Sequence, residues 1–101
     1  MRQAPILSTL LDDPSVVPYF MWDEPMTVGE LRHRMASGSS AERIRLLGKV
    51  LREARDTDVW RFTSPAEILG HWADLSRHLG RRKQFWEFLM GEWRRQGLLG
   101  R

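Results

Sequence analysis

The sequence contains no cysteine, which excludes a disulfide framework, a thiolate zinc site and a thiol nucleophile. It also has no run approaching the roughly 20 apolar residues of a membrane-spanning helix, and the apolar stretch near its start is too short for a signal peptide. Lysine is scarce, so nearly all of the basic charge is arginine. These absences predict a cytoplasmic protein that is not attached to a membrane.

Patterns that indicate catalysis are also missing. His71 and His78 lie two helical turns apart, too far to share a metal ion, and there is no glycine-rich phosphate loop or serine nucleophile motif. Asp56 and Asp58 have a spacing that is common in turns, where aspartate bonds its own backbone. We therefore predict no catalytic residue, no metal site and no cofactor.

The sequence is rich in tryptophan for its length. Its 101 residues, 42% of them hydrophobic, predict one domain with a single core, and five of them are tryptophan. We divide this domain into an N-terminal arm or short helix (1–14), a segment rich in proline and aromatic residues (15–26) and a helical core (27–97).

Three capping boxes mark helix starts, because a Ser or Thr and a Glu three residues later can each bond a free backbone amide there. The pairs are Thr27–Glu30, Ser39–Glu42 and Ser64–Glu67. With the apolar spacing that follows, they predict helices over about 28–36, 40–55, 65–79 and, from its aromatic pattern, 81–96. A weaker helix is expected over 5–11. The predicted fold is therefore all-α, a single compact domain of four to five short helices.

Two short stretches add detail to this helical pattern. After the last helix, Gly97 and Leu98 are placed for a Schellman motif, in which Leu98 packs back against the helix. Between the second and third helices, Val59, Trp60 and Phe62 could form a short extended piece, although an isolated strand leaves its edges unpaired.

The stretch VVPYFMWDEP combines three aromatic residues with prolines that oppose a helix. If it is extended, successive side chains point to opposite sides. We then expect Phe20 and Trp22 to fill the core, Tyr19 and Met21 to face outward, and Asp23 or Glu24 to stay in water. Tyr19 and Met21 are the better docking candidates, and Trp22 and Asp23 belong to the edge of the same partner-binding face.

The last helix has a basic start and more aromatic residues than one core-facing stripe needs. Arg81, Arg82 and Lys83 stand where the helix dipole disfavours cations, which is easier to explain if they meet an anionic surface. Trp93 lies on one predicted face and Trp86 on its flank, so either could fill the core or contact a partner. All five are candidate partner-binding residues.

Charge along the chain alternates between acidic and basic blocks, and the basic blocks cover 31–55 and 77–101. The first block has the outline of a helix, a Gly/Ser turn and a basic helix, as in helix-turn-helix modules, with DVWRFTSP in place of a wing. The favoured interpretation is a core helix with charged margins, because Leu46 and Val50 share the helix flank with the basic side chains. On the helix-turn-helix interpretation, four residues would contact phosphates: Arg43, Arg45, Lys49 and Arg52.

Taken together, the stretches YFMWD, LLGKVLREARDTDVWRF and RRKQFWEFL resemble a family of small bacterial all-helical proteins of unknown function. The resemblance covers about residues 18–93. Members of that family are often encoded beside abortive-infection-type nucleotidyltransferase toxins and are regarded as their antitoxins or accessory partners. The positions that carry the resemblance are Phe20, Trp22, Asp23, Val50, Leu51, Trp60, Phe85 and Trp86.

We therefore expect a non-enzymatic protein-interaction module, an antitoxin-like partner of a nucleotidyltransferase-type toxin. Aromatic anchors would enter a pocket of the toxin, and arginines would pair with acidic groups in or around its metal-binding active site. The alternative is a winged-helix-like DNA-binding autorepressor, whose affinity for DNA would fall steeply with salt.

Overall fold

The computed structural model describes residues 6–97 of the chain and shows a single all-α domain, as predicted. Its helices are α1 (Val28–Ser37), α2 (Ser40–Glu53), α3 (Asp56–Val59), α4 (Pro65–Gly70), α5 (Trp72–Leu75) and α6 (Lys83–Arg95). Short 3-10 turns cover Tyr19–Met21, Ser76–His78 and Gly80–Arg82. None of the helices described within 6–97 has the length and apolar character needed to cross a membrane.

The N-terminal arm forms a strand where a helix was expected. Strand β1 (Leu7–Ser8) pairs in parallel with β2 (Val17–Pro18), and Leu7 lies opposite Val17. Between them, the Asp13 carboxylate accepts the Ser15 backbone N–H at 2.9 Å and closes a turn. The expected helix over 5–11 was wrong for its described part because so short a helix is unstable alone, whereas the turn and the strand pair supply its backbone bonds.

The three capping boxes form as predicted. The side chains of Thr27, Ser39 and Ser64 accept the backbone N–H groups of the glutamates three residues later, at 3.0, 3.2 and 3.2 Å. Each bond satisfies one of the amides that a helix start leaves free. The starts of α1, α2 and α4 were therefore encoded locally.

Helix α2 is the centre of the domain. Every residue from Leu46 to Leu51 is buried, including Gly48 and Lys49. A surface helix keeps a polar face in water, but α2 is contacted by α1, α3, α5 and both 3-10 turns of the 76–82 region. The core around it contains mainly aliphatic and aromatic side chains, the largest being Trp86, Phe20, Leu11, Met21, Leu31, Leu46, Leu51 and Ile68.

The expected continuous helix over 65–79 is interrupted. Helix α4 ends at Gly70, His71 leaves the helical region, and the chain continues through α5 to Gly80, whose φ is +53°. This path brings His78 against α2 at Gly48, where a Cβ atom would lie only 2.7 Å from the His78 Cβ. Local propensity does not report a tertiary contact of this kind.

Residues 59–62, considered as an extended piece, are not extended: helix α3 ends at Val59 and the chain turns through 60–62. Asp56 and Asp58 stand in the first turn of α3, where the helix dipole favours carboxylates. Val59 is buried at its end, and Trp60, which follows, is 40% exposed. The extended interpretation of residues 59–62 was wrong.

Helix α6 is fixed to α2 by one side chain. The Trp86 indole is fully buried, and its Nε1–H donates to the Leu51 carbonyl at 3.0 Å. That carbonyl is among the last four of α2, which have no partner within their own helix. Beyond α6, Gly97 has a φ of +74°, the left-handed conformation expected of it, while Leu98 lies outside the described residues.

We expect Trp86→Phe to lower the free energy of unfolding by about 1–3 kcal/mol, because it leaves a buried carbonyl without a donor. The matched control is Trp22→Phe, the same chemical change at an exposed site, which should change stability by less than about 0.5 kcal/mol. Urea denaturation followed by circular dichroism measures both. Equal losses for the two variants would show that the indole bond to α2 has no special role.

Candidate partner-binding surface

The aromatic segment is held to the domain at its first residue by Tyr19. The Tyr19 hydroxyl donates to Asp58 Oδ2 at 2.6 Å and accepts the Arg55 backbone N–H at 2.8 Å. The Arg55 guanidinium also lies 5.3 Å from the centre of the ring. Burial of the phenol, followed by its bond to the Asp58 carboxylate, raises the pKa of Tyr19. Tyr19 was expected to face outward for docking, but its polar end is engaged within the domain.

Met21 is also turned inward. Residues 19–21 form a 3-10 turn with about three residues per turn, so the alternation of an extended strand does not apply. Phe20 and Met21 are consequently both buried, with Phe20 packed edge-to-face against Phe62 at 5.5 Å. The expectation for Phe20 is confirmed, and that of an outward-facing Met21 was wrong.

Trp22 projects outward and is 60% exposed, although it was expected to fill the core. The turn that buries both preceding residues directs this side chain to the opposite side. A large indole in water is unfavourable in isolation, and exposed aromatic side chains often anchor interfaces. Trp22 is therefore still a candidate for partner binding, but because it is exposed and not because it fills the core at the edge of a binding face.

Asp23 pairs with a buried lysine. Lys49 is only 5% exposed, and its ammonium bonds the Asp23 carboxylate, with Glu24 Oε1 farther away at 3.9 Å. The Lys49 bond holds the pKa of Asp23 below its ordinary value. Because a buried ammonium requires a carboxylate partner, this pair fixes the residue that directly follows Trp22.

Glu24 adds a second attachment. The Arg45 guanidinium donates to both of its oxygens, at 2.7 and 2.8 Å, and lowers the pKa of Glu24. Glu42 also contacts Arg45, at 3.2 Å. Since the Arg45 and Glu24 side chains are 43% and 33% exposed, such a pair contributes only about 0.2–1 kcal/mol to stability. It restrains the position of the segment more than it stabilises the fold.

These pairs engage most of the residues proposed for phosphate binding. Lys49 is buried, Arg45 is held by two glutamates, and Arg52 bonds Glu53 at 2.9 Å and the His78 carbonyl at 2.9 Å. Of the four, Arg43 alone has no carboxylate within salt-bridge distance among residues 6–97. The structure thus places α2 as a core helix with charged margins.

The basic residues at the start of α6 have a different environment. Arg81 and Lys83 are exposed, and the half-buried Arg82 stacks its guanidinium 4.8 Å from the centre of the Phe85 ring. Arg52 stands three residues after Lys49 on α2; Lys49 bonds Asp23, and Arg52 bonds the His78 carbonyl. The aromatic segment and the chain that leads into α6 are therefore attached at neighbouring positions of α2. We call Trp22, Asp23 and Arg52, with the exposed Arg81 and Lys83 that follow His78, the Trp22 face.

Two expected binding residues lie elsewhere. Trp86 is fully buried with its N–H bonded, so it cannot dock to a partner in this conformation and belongs to the core. Trp93 is half-buried and packs against Trp60, with ring centres 5.5 Å apart. The aromatic pattern of α6 left open whether Trp86 or Trp93 fills the core, and the structure buries Trp86 fully. Its hydrogen-bond partner is a backbone carbonyl, which no apolar pattern reveals.

Exposed apolar side chains that the sequence did not single out also appear. Phe88, on the outer side of α6, is 64% exposed, and Ile6 and Leu10 of the arm are 89% and 66% exposed. Residues two positions apart on a helix point to nearly opposite sides, so Phe88 and Trp86 could not both face the core. This spacing was the signal available in the sequence.

Titratable side chains in the described part of the chain form no cluster suited to a metal ion. Asp58 of the pair in α3 accepts the Tyr19 hydroxyl. Comparison of the chain with protein-family models, curated proteins and solved structures found no match in any of the three. The site must therefore be interpreted from its own geometry.

We expect Asp23→Ala to lower the urea midpoint of unfolding, because it leaves the buried Lys49 ammonium without its nearest carboxylate. Adding Lys49→Met should recover most of this loss, since methionine fills a similar volume without charge. The control is Asp12→Ala, which removes an exposed carboxylate paired with Arg61. If the double variant is no more stable than Asp23→Ala, the ion pair does not govern this region.

The chain contains a single tyrosine, so its ionisation can be followed directly by absorbance near 295 nm. We expect Tyr19 to titrate above the ordinary value of about 10, and Asp58→Asn to move its pKa back toward that value. Because the folded pKa is raised, the stability linked to this group is present below the unfolded value and is lost as pH rises through the folded one. Circular dichroism at each pH controls for unfolding, and an unshifted titration would contradict the bond.

Proposed function

We propose that this protein is a non-enzymatic interaction module of the cytoplasm that binds and neutralises a nucleotidyltransferase-type toxin. The observation that carries the interaction is Trp22, which is exposed on a segment attached to the core both before and after it. An anchor held in one conformation loses little entropy on binding. The nature of the partner rests on the sequence resemblance.

In this proposal the Trp22 indole enters an apolar pocket of the toxin and occupies it. Asp23 and Glu24 hold the segment to α2, so they act by positioning Trp22. Burial of a large indole at the centre of an interface is the contribution most often responsible for a hot spot. The exposed Arg81 and Lys83 lie at the border of the same face.

The DNA-binding alternative has less support from the geometry. Its basic helix is the central core helix, and Arg45, Lys49 and Arg52 are engaged by protein groups. A phosphate backbone would have to displace those partners before it gained contacts.

The proposal is tested by co-expressing the protein with the product of the adjacent reading frame, which under this proposal is the nucleotidyltransferase-type toxin. We expect a complex on size exclusion and relief of growth arrest. Trp22→Ala should weaken binding by about 2 kcal/mol, or about thirtyfold in Kd, with little change in the unfolding midpoint. Phe88→Ala, which removes an exposed aromatic ring away from the Trp22 face, is the matched control. A stable monomer that ignores the neighbouring product would refute the proposal.

A further inference from the structure

A compact group of cations lies where α5 leads into α6. We call Arg77, Arg81, Arg82 and Lys83 the cationic ridge. Arg77, Arg81 and Lys83 are exposed, and Arg82 is half-buried over Phe85. Arg77 was not among the residues singled out from the sequence, because the helix break that brings it beside the other three was not foreseen.

The ridge is held firmly against α2. Gly48 allows His78 to approach so closely that any Cβ there would clash, and Arg52 donates to the His78 carbonyl at 2.9 Å. His78 directly follows Arg77, so both contacts fix the backbone from which the ridge projects. Its charges are therefore presented from a fixed position rather than from a long free loop.

No residue of the ridge has a carboxylate within salt-bridge distance among the described residues 6–97. The ridge also precedes the N-terminus of α6, whose dipole adds positive potential. By contrast, Arg34, Arg45, Lys49 and Arg52 all have glutamate or aspartate partners. Other arginines without a carboxylate partner among residues 6–97, such as Arg32, Arg43 and Arg55, are spread along the chain, whereas the four cations of the ridge all fall within 77–83.

The surroundings of the ridge are acidic. Exposed Asp74 stands three residues before Arg77, and exposed Glu87 stands four residues after Lys83. A nucleic acid strand presents phosphates over a long path and needs a positive track to follow. The ridge is instead a short group of cations with a carboxylate on each side along the chain. Such a group complements a compact cluster of anionic side chains.

We propose that the cationic ridge binds a cluster of carboxylates on the surface of a protein partner. The inference rests on the proposed function for the identity of that partner, and it adds the chemistry that the partner must present. Beside the pocket that receives Trp22, the partner carries several aspartate or glutamate side chains, which pair with the guanidinium groups of Arg77 and Arg81.

The test uses the isotopically labelled full chain and two probes of equal formal charge, a short poly-glutamate peptide and a single-stranded DNA oligonucleotide. We expect the peptide to shift the amide and guanidinium signals of residues 77–83 and to bind more tightly than the DNA. Arg81→Glu/Lys83→Glu should weaken peptide binding about tenfold or more. The control Arg43→Glu/Arg94→Glu changes the net charge equally and should retain binding.

Three outcomes would overturn the inference: tighter binding of the DNA to the same signals, equal loss in both double variants, or no binding of the peptide. Thermal unfolding of each variant shows whether the fold is intact. Should Arg81→Glu/Lys83→Glu fail to fold, Arg77→Gln/Lys83→Gln removes positive charge without adding negative charge. If that variant keeps its affinity for the peptide, the proposal that the ridge binds carboxylates is overturned.

The proposed function and this inference can be refuted separately. If the toxin binds the wild-type chain and both charge-reversal variants equally well, the ridge is not part of the interface while the interaction module stands. If the peptide binds the ridge but the toxin does not bind the chain, the carboxylate chemistry stands and the identity of the partner is wrong.

Discussion

The burial of Lys49 is the constraint on which the arrangement of the rest depends. Helix α2 is enclosed by the remainder of the chain over Leu46–Leu51, so a lysine in that stretch must either reach water or obtain a carboxylate. It obtains Asp23. That requirement draws the proline-rich segment across the helix and leaves Trp22 on the outside.

The segment is thereby both a part of the core and the edge of a surface. Phe20 and Met21 complete the core, and Tyr19 closes the gap between α2 and α3 by bonding the Arg55 amide. These internal contacts use every side chain from 19 to 24 except the indole of Trp22. A side chain that is excluded from a well-anchored segment is presented in a defined direction, which is the condition for an interface anchor.

The sequence predicted the elements that are encoded by neighbouring residues and missed those set by distant ones. Capping boxes and the helix starts at 28, 40 and 65 depend on bonds over three residues. The close approach of His78 to Gly48 and the bond from Trp86 to the Leu51 carbonyl both join residues that are distant in the sequence. For the same reason the burial of Phe20 was foreseen, while the directions of Met21 and Trp22 were not.

Two basic blocks of similar composition differ in how many of their cations are paired. In 31–55, Arg34, Arg45, Lys49 and Arg52 have carboxylate partners within the fold. In 77–83, where the chain passes twice through 3-10 geometry beside α2, no cation has a carboxylate within salt-bridge distance among residues 6–97. Net charge is therefore a poor guide to which cations are free to meet a partner. The unpaired charges of 77–83, together with Trp22, the most exposed indole among the described residues, define what the surface of the proposed partner must offer.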